Sequence, residues 1–154
     1  MKTEVTTPNN HTTDYHSIHE IVRSQVHHHY WDLNINCART TLLVLSDLYN
    51  IKVHPQTLQS AIGLHGAGGY RAQCGLVEGG LMFLGIYLTA HSKTEEEIIS
   101  LCYRYADEFI AHFGSLRCSE LRPGGFTETD PPHLCEDLTC RAIAFTYTYI
   151  NTIK

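Results

Sequence analysis

Of the six cysteines in this chain, four stand near the ends of segments with helical periodicity: Cys37, Cys74, Cys118 and Cys135. A thiolate is a soft ligand for iron–sulfur clusters, zinc or copper, and it is also the nucleophile of disulfide exchange. At a helix N-terminus the peptide dipoles favour the thiolate, which suits either use. Cys102, in Leu101-Cys102-Tyr103-Arg104, falls mid-helix and reads as a small buried hydrophobe. Cys140 lies about one and a half turns beyond Cys135 and is a candidate substitute ligand. There is no C-x-x-C, so neither a thioredoxin-type motif nor a zinc ribbon is indicated, and no C-x-x-C-H for covalent haem. Spacing alone leaves metal binding and thiol exchange both open.

Two other residues join the candidate ligands. His65 interrupts the loop Gly63–Gly69, whose four glycines let the backbone approach a bound group closely, although an exposed loop histidine is the plainer reading. Glu78 lies one turn after Cys74, where it suits a ligand, a proton carrier or a salt-bridging residue. The remaining histidines carry less. His27, His28 and His29 are consecutive and point in three directions on a helix, so they cannot all serve one site. His16 and His19 share a face and read as surface residues. Glu95, Glu96 and Glu97 complement a helix N-terminus and need no catalysis to explain them. No Ser-His-Asp arrangement, phosphate loop or dinucleotide fingerprint is legible.

The elements that must position these side chains read as helices. Apolar Ile18, Ile21, Val22 and Val26 recur at helical spacing after a polar tail over residues 1–12, leaving 13–154 as one helical domain. A break at Asp32-Leu33-Asn34 precedes a helix from about Asn36 to Tyr49 with the stripe Ala38, Leu42, Leu45 and Leu48. Pro55 opens a short helix that ends near Gly63. A glycine-bearing helix from about Arg71 to His91 follows, carrying Gly75, Gly79, Gly80 and Gly85. Each interior glycine costs up to ~1 kcal/mol against alanine, so the helix must gain close approach of a neighbour or a ligand. Ser92 or Thr94 caps the next helix and Gly114 stops it. Pro123, Gly124, Gly125, Pro131 and Pro132 mark an irregular loop, and a last helix runs from about Pro132 to Thr152, where Tyr147 and Tyr149 pack or line an oligomer contact. The expected fold is an all-α single-domain bundle of about six helices, with a glycine-rich loop before a buried glycine-rich helix.

Composition narrows the partners. The 154 residues suit one domain, and a hydrophobic fraction of 43% is enough for a core. A net charge of -5 with no basic run argues against nucleic acid. The charged fraction is 18%, below the roughly 25% usual in soluble domains, which makes a homodimer an expectation. The first dozen residues hold no apolar core of a signal peptide, and the longest apolar stretch, Gly79 to Ala90, falls short of the ~20 residues a bilayer requires. A cytoplasmic protein without a membrane span is expected, in a reducing compartment where dispersed cysteines bind metal or do redox work.

Taken in order, several of these residues form a pattern. Asn36-Cys37-Ala38, the loop 63–69, Cys74-Gly75-Leu76-Val77-Glu78-Gly79-Gly80-Leu81-Met82-Phe83-Leu84-Gly85, Phe113 to Cys118, and Cys135 follow one another along the chain. This resembles the redox-active proteins named for their C_GCAxxG_C_C cysteine pattern, over about residues 15–152. The resemblance implies that Cys37, Cys74, Cys118 and Cys135 occupy the family's cysteine positions. That family is similar to the cluster-carrying part of split-Soret cytochromes, which implies an iron–sulfur cluster, 2Fe-2S or 4Fe-4S, an electron carrier or redox sensor, and an unidentified electron-transfer partner. A thiol–disulfide oxidoreductase and a zinc-binding module are the alternatives. Glu78 replaces a small residue of the pattern and His65 intrudes into the glycine loop, so a different ligand set or metal stays open.

Overall fold

The computed structural model describes residues 15–154. The tail expected over residues 1–12 lies outside them. Helix α1 (Tyr15–His27) buries Ile18, Val22 and Val26, while Ile21, expected on the same stripe, is exposed. The helix does not stop at His27. It widens into a π-turn over His28–Asp32 that buries His29 and Tyr30, and the chain breaks only at Asn34, with φ 49°. Helix α2 (Cys37–Tyr49) begins where Asn36 caps it, the side chain accepting from the Arg39 N–H at 2.9 Å.

Next come α3 (Pro55–Ser60) and a single turn, α4 (Gly66–Gly69), in which Ala67 and Gly68 take left-handed φ of 56° and 68°. The long α5 (Gly75–Ala90) is buried on most sides, and α6 (Glu95–Phe113), α7 (Cys118–Leu121) and α8 (Glu136–Thr152) complete the bundle. The expectation of an all-α single domain is met. Six of these helices exceed one turn, and among the described residues there is no strand.

Helix α5 packs chiefly on α2 and also touches α6 and α8, while α1 lies along α8. The core between them holds Tyr105, Tyr149, Phe83 and Phe109. Two of its buried tyrosine hydroxyls are paired: the Tyr105 hydroxyl meets Thr146 Oγ1 at 2.8 Å, and the Tyr149 hydroxyl donates to the Leu101 carbonyl at 2.6 Å. Tyr149 is thus core, and Tyr147 packs at a tilt against Tyr49 with ring centres 5.3 Å apart.

Three α5 glycines are used inside this chain. A Cβ at Gly79 would lie 2.6 Å from the Ala38 carbonyl oxygen and 2.8 Å from Thr41 Cβ. One at Gly75 would strike the Cys37 sulfur and stand 2.5 Å from the Leu64 carbonyl oxygen, and one at Gly80 would strike the Tyr105 hydroxyl. The close approach expected of the glycine-bearing helix is therefore made within this chain.

Two boundaries differ from expectation. Helix α5 starts at Gly75, not near Arg71, because residues 71–74 pair with another segment. Helix α8 starts at Glu136, not near Pro132, because the turn at His133, with φ 59°, intervenes. At the head of α6, Thr94 and Glu97 form a reciprocal cap, Thr94 Oγ1 accepting from the Glu97 N–H at 3.2 Å and Glu97 Oε2 from the Thr94 N–H at 2.8 Å. Thr94→Ala should lower stability by about 1 kcal/mol, measured as an earlier urea midpoint at unchanged slope. No helix among the described residues is long and apolar enough to cross a membrane.

Candidate functional site

Each of the four cysteines stands where a helix begins. Cys37 is the first residue of α2, Cys74 caps α5, Cys118 opens α7 and Cys135 caps α8. Non-local contacts bring these starts together. The Cys74 N–H donates to the Leu116 carbonyl at 2.8 Å and the Cys118 N–H to the Ala72 carbonyl at 2.7 Å, so residues 71–74 and 116–119 form one antiparallel bridge, Gln73 to Arg117. Gly66 fits beneath it only without a side chain: its φ is +66°, and a Cβ would stand 3.1 Å from Arg71 Cα and 3.3 Å from Cys118 Cβ. Cys37 joins through the close approach of α2 to α5. Asn36 fixes the loop above it, donating to the Ala61 and Ile62 carbonyls at 3.0 and 2.8 Å.

Cys135 is placed by the π-turn. The Tyr30 hydroxyl meets Thr139 Oγ1 at 2.6 Å, the Trp31 indole N–H donates to Glu136 Oε2 at 2.9 Å, and His27 Nδ1 meets Glu136 Oε1 at 2.8 Å. His133 lies between, stacked on Tyr30 and edge-on to Trp31. Of the three consecutive histidines, His27 thus braces α8, while His29 is buried with Nδ1 unpaired among the described residues.

In this arrangement each of the four thiols is near enough to every other for the ionisation of one to oppose that of the next. Cys37, Cys118 and Cys135 line one cavity of about 530 Å³, and Cys74, only 5% exposed, lies behind it. Burial, reinforced by Cys118, pushes the Cys37 thiol up to about 12, and burial with Cys37 beside it pushes Cys74 up to about 12. Burial also raises Cys118 and Cys135, but Arg122 opposes the rise at both, its guanidinium 3.7 Å from Cys135 Sγ.

Of the other candidates, His65 lines the same cavity, with Nδ1 3.1 Å from the Ile62 carbonyl oxygen. Glu78 sits half-buried on α5, its carboxyl raised by burial, outside the cavity lining. Cys140 is buried among other neighbours, with Arg23, Glu136 and Asp137 as the charges that reach it. Cys102 is half-buried on α6 and packs against the core. Neither of these two joins the four.

Among the described residues no group of three or more His, Cys, Asp or Glu side chains is arranged to hold a metal ion. The donor set is chemically suited to soft metals, because four sulfurs lie near one another and three of them line the cavity. Arginines also line the cavity, and the sequence reading missed them: Arg39, Arg71 and Arg122. The available signal was position, since each falls within four residues of one of the cysteines.

Two consequences follow for the metal-free chain. Cys118 and Cys135 should alkylate before Cys37 and Cys74 at neutral pH, read by mass spectrometry after brief iodoacetamide treatment. Stability should also fall as pH rises from about 9.0, the ordinary thiol value, to about 12. Above the ordinary value the unfolded chain releases its thiol protons while the fold still holds them, so unfolding gains. Urea midpoints across that range measure it, and serine at Cys37 and Cys74 should flatten the fall.

The fold and the site define an all-helical thiol protein with its cysteines gathered at helix starts. Residues 35–149 match the family model described as "Putative redox-active protein (C_GCAxxG_C_C)", and the chain belongs to that family. No curated protein and no solved structure matches it.

Proposed function

We propose that this redox-family protein holds an iron–sulfur cluster on Cys37, Cys74, Cys118 and Cys135 and works as an electron carrier or redox sensor. The observation that supports this reading is the mutual proximity of all four thiols, three of which line one cavity with Cys74 buried beside them.

When bound, the cluster would supply reversible uptake of one electron. The chain's own residues then have definable tasks. Burial of Cys74 keeps water from its sulfur, and the high proton affinity of Cys37 and Cys74 means that loading must release protons, so acid opposes it. Main-chain N–H groups of Ala38 and Leu76 donate to Cys37 and Cys74, and Arg122 donates to Cys135. Hydrogen bonds to the sulfurs stabilise the more negative, reduced state and raise the potential.

Arg122 also supports a second reading. It opposes the rise that burial imposes on the Cys118 and Cys135 thiols, and a dithiol there would give two electrons and two protons to an oxidised acceptor as their S–S bond forms. Either reading suits the cytoplasm, where all six cysteines stay free. A separate electron-transfer partner belongs to the reading, and so does a homodimer, for which the exposed Ile99, Tyr103 and Ile110 on α6 offer one face.

The test is purification without oxygen or an affinity tag, followed by the visible spectrum and assays of iron, acid-labile sulfide and zinc per chain. A brown protein with stoichiometric iron and sulfide supports the cluster. A colourless protein that stays metal-free after reconstitution, and loses two titratable thiols on oxidation, puts the dithiol in its place.

A further inference from the structure

The cavity beside the thiols is cationic in a chain whose net charge is -5, for Arg39, Arg71 and Arg122 line it and no carboxylate does. Arg122 is already committed, donating to Asp130 Oδ2 at 3.1 and 3.2 Å as well as to Cys135. Arg39 and Arg71 differ, since neither forms an ion pair among the described residues. The Arg39 Nε–H is shielded from water and has no acceptor among the described residues. A shielded donor left unpaired costs free energy that an acceptor would recover. Arg71 lies over the Phe126 ring, 4.1 Å from its centre, which orients its planar fork.

A fixed guanidinium recognises the paired oxygens of a carboxylate or phosphate better than it recognises a spherical ion. The rest of the lining includes apolar Ile35, Ile62 and Phe126, and about 530 Å³ is in the range of small-molecule sites. Compensation of thiolate charge explains Arg122, which touches a sulfur, and reaches Arg71, which opposes the rise at Cys118, but it does not explain the unpaired Nε of Arg39.

We propose that this cavity binds a small organic oxyanion, with its carboxylate or phosphate on Arg39 and Arg71 and its body against Ile35 and Ile62, beside the thiols. The proposal stands on the cavity and its arginines, whatever the thiols hold.

The test is a titration of the full chain, kept reduced, with malonate and with inorganic phosphate, followed by NMR of the arginine Nε–H signals. Sodium chloride at matched ionic strength is the control. The expected result is saturable movement of the Arg39 and Arg71 signals with one or both oxyanions and none with chloride; the stronger binder identifies the group as carboxylate or phosphate. Arg39→Gln with Arg71→Gln should weaken binding about tenfold or more. Arg71→Gln alone, at an exposed position, gives the same direction if the double variant fails to fold. Movement that chloride reproduces, no saturation with either oxyanion, or affinity unchanged in the variants overturns the proposal. Iron and sulfide assayed on the same samples report separately on the cluster: oxyanion binding without iron sustains this site and removes that reading, and iron without binding does the reverse.

Discussion

A Cys74→Ser chain should come from anaerobic purification colourless, with iron and sulfide reduced at least about tenfold, and with its helical content intact. The thiol is 5% exposed and buried behind the cavity, so no solvent ligand replaces it easily. Serine keeps nearly the same volume, and the main-chain anchor from residue 74 to the Leu116 carbonyl does not involve the side chain. The hydroxyl is a harder and far less acidic donor than a thiol, so the fold persists while the soft-metal site fails. Cys102→Ser and Cys140→Ser are the controls, because neither sulfur lies with the four. Iron retained by Cys74→Ser, or lost equally from Cys140→Ser, would sink the assignment.

Alanine at Gly79 should destabilise the chain by about 1–3 kcal/mol, and alanine at Gly85 should stabilise it by up to about 1 kcal/mol. The two positions share a helix and the same gain in helix propensity, so the difference isolates packing. At Gly79 the new methyl meets the Ala38 carbonyl at 2.6 Å, and main chain cannot yield as a flexible side chain can. At Gly85 nothing lies within 4 Å of the new atom. Urea midpoints of the two variants give the comparison. Equal shifts would mean that α2 and α5 are free to separate, and the close approach that places Cys37 beside Cys74 would lose its support.

Much of this architecture was legible because its signals are local. Asn36, Thr94 and Gly114 mark helix ends by their own hydrogen bonds or by positive φ, and each acts within a few residues. The four cysteines were legible by type, and the glycines of α5 by their cost in a helix. Their meeting was not, because nothing within four-residue windows announces that residues 71–74 pair with 116–119. For the same reason the start of α5 was read too early: a pairing partner more than forty residues away holds Arg71 to Cys74 out of the helix. The π-turn escaped because its insertion is stabilised by Tyr30 and Trp31 reaching α8, a tertiary effect. Arg39, Arg71 and Arg122 escaped because charged residues near cysteines are common, and only the folded cavity shows them on one wall.

The seam between α2 and α5 also bears on how such a site responds to electrons. At Gly79 helix α5 rests on the main chain of Ala38 in α2, and at Gly75 it rests on the Cys37 sulfur itself, so the separation of the Cys37 and Cys74 starts is set largely by backbone contact. Close-packed backbone yields little under load. Under the proposed cluster reading, a change in charge at this pair would displace few nuclei, which would keep the reorganisation energy on this side of the site small.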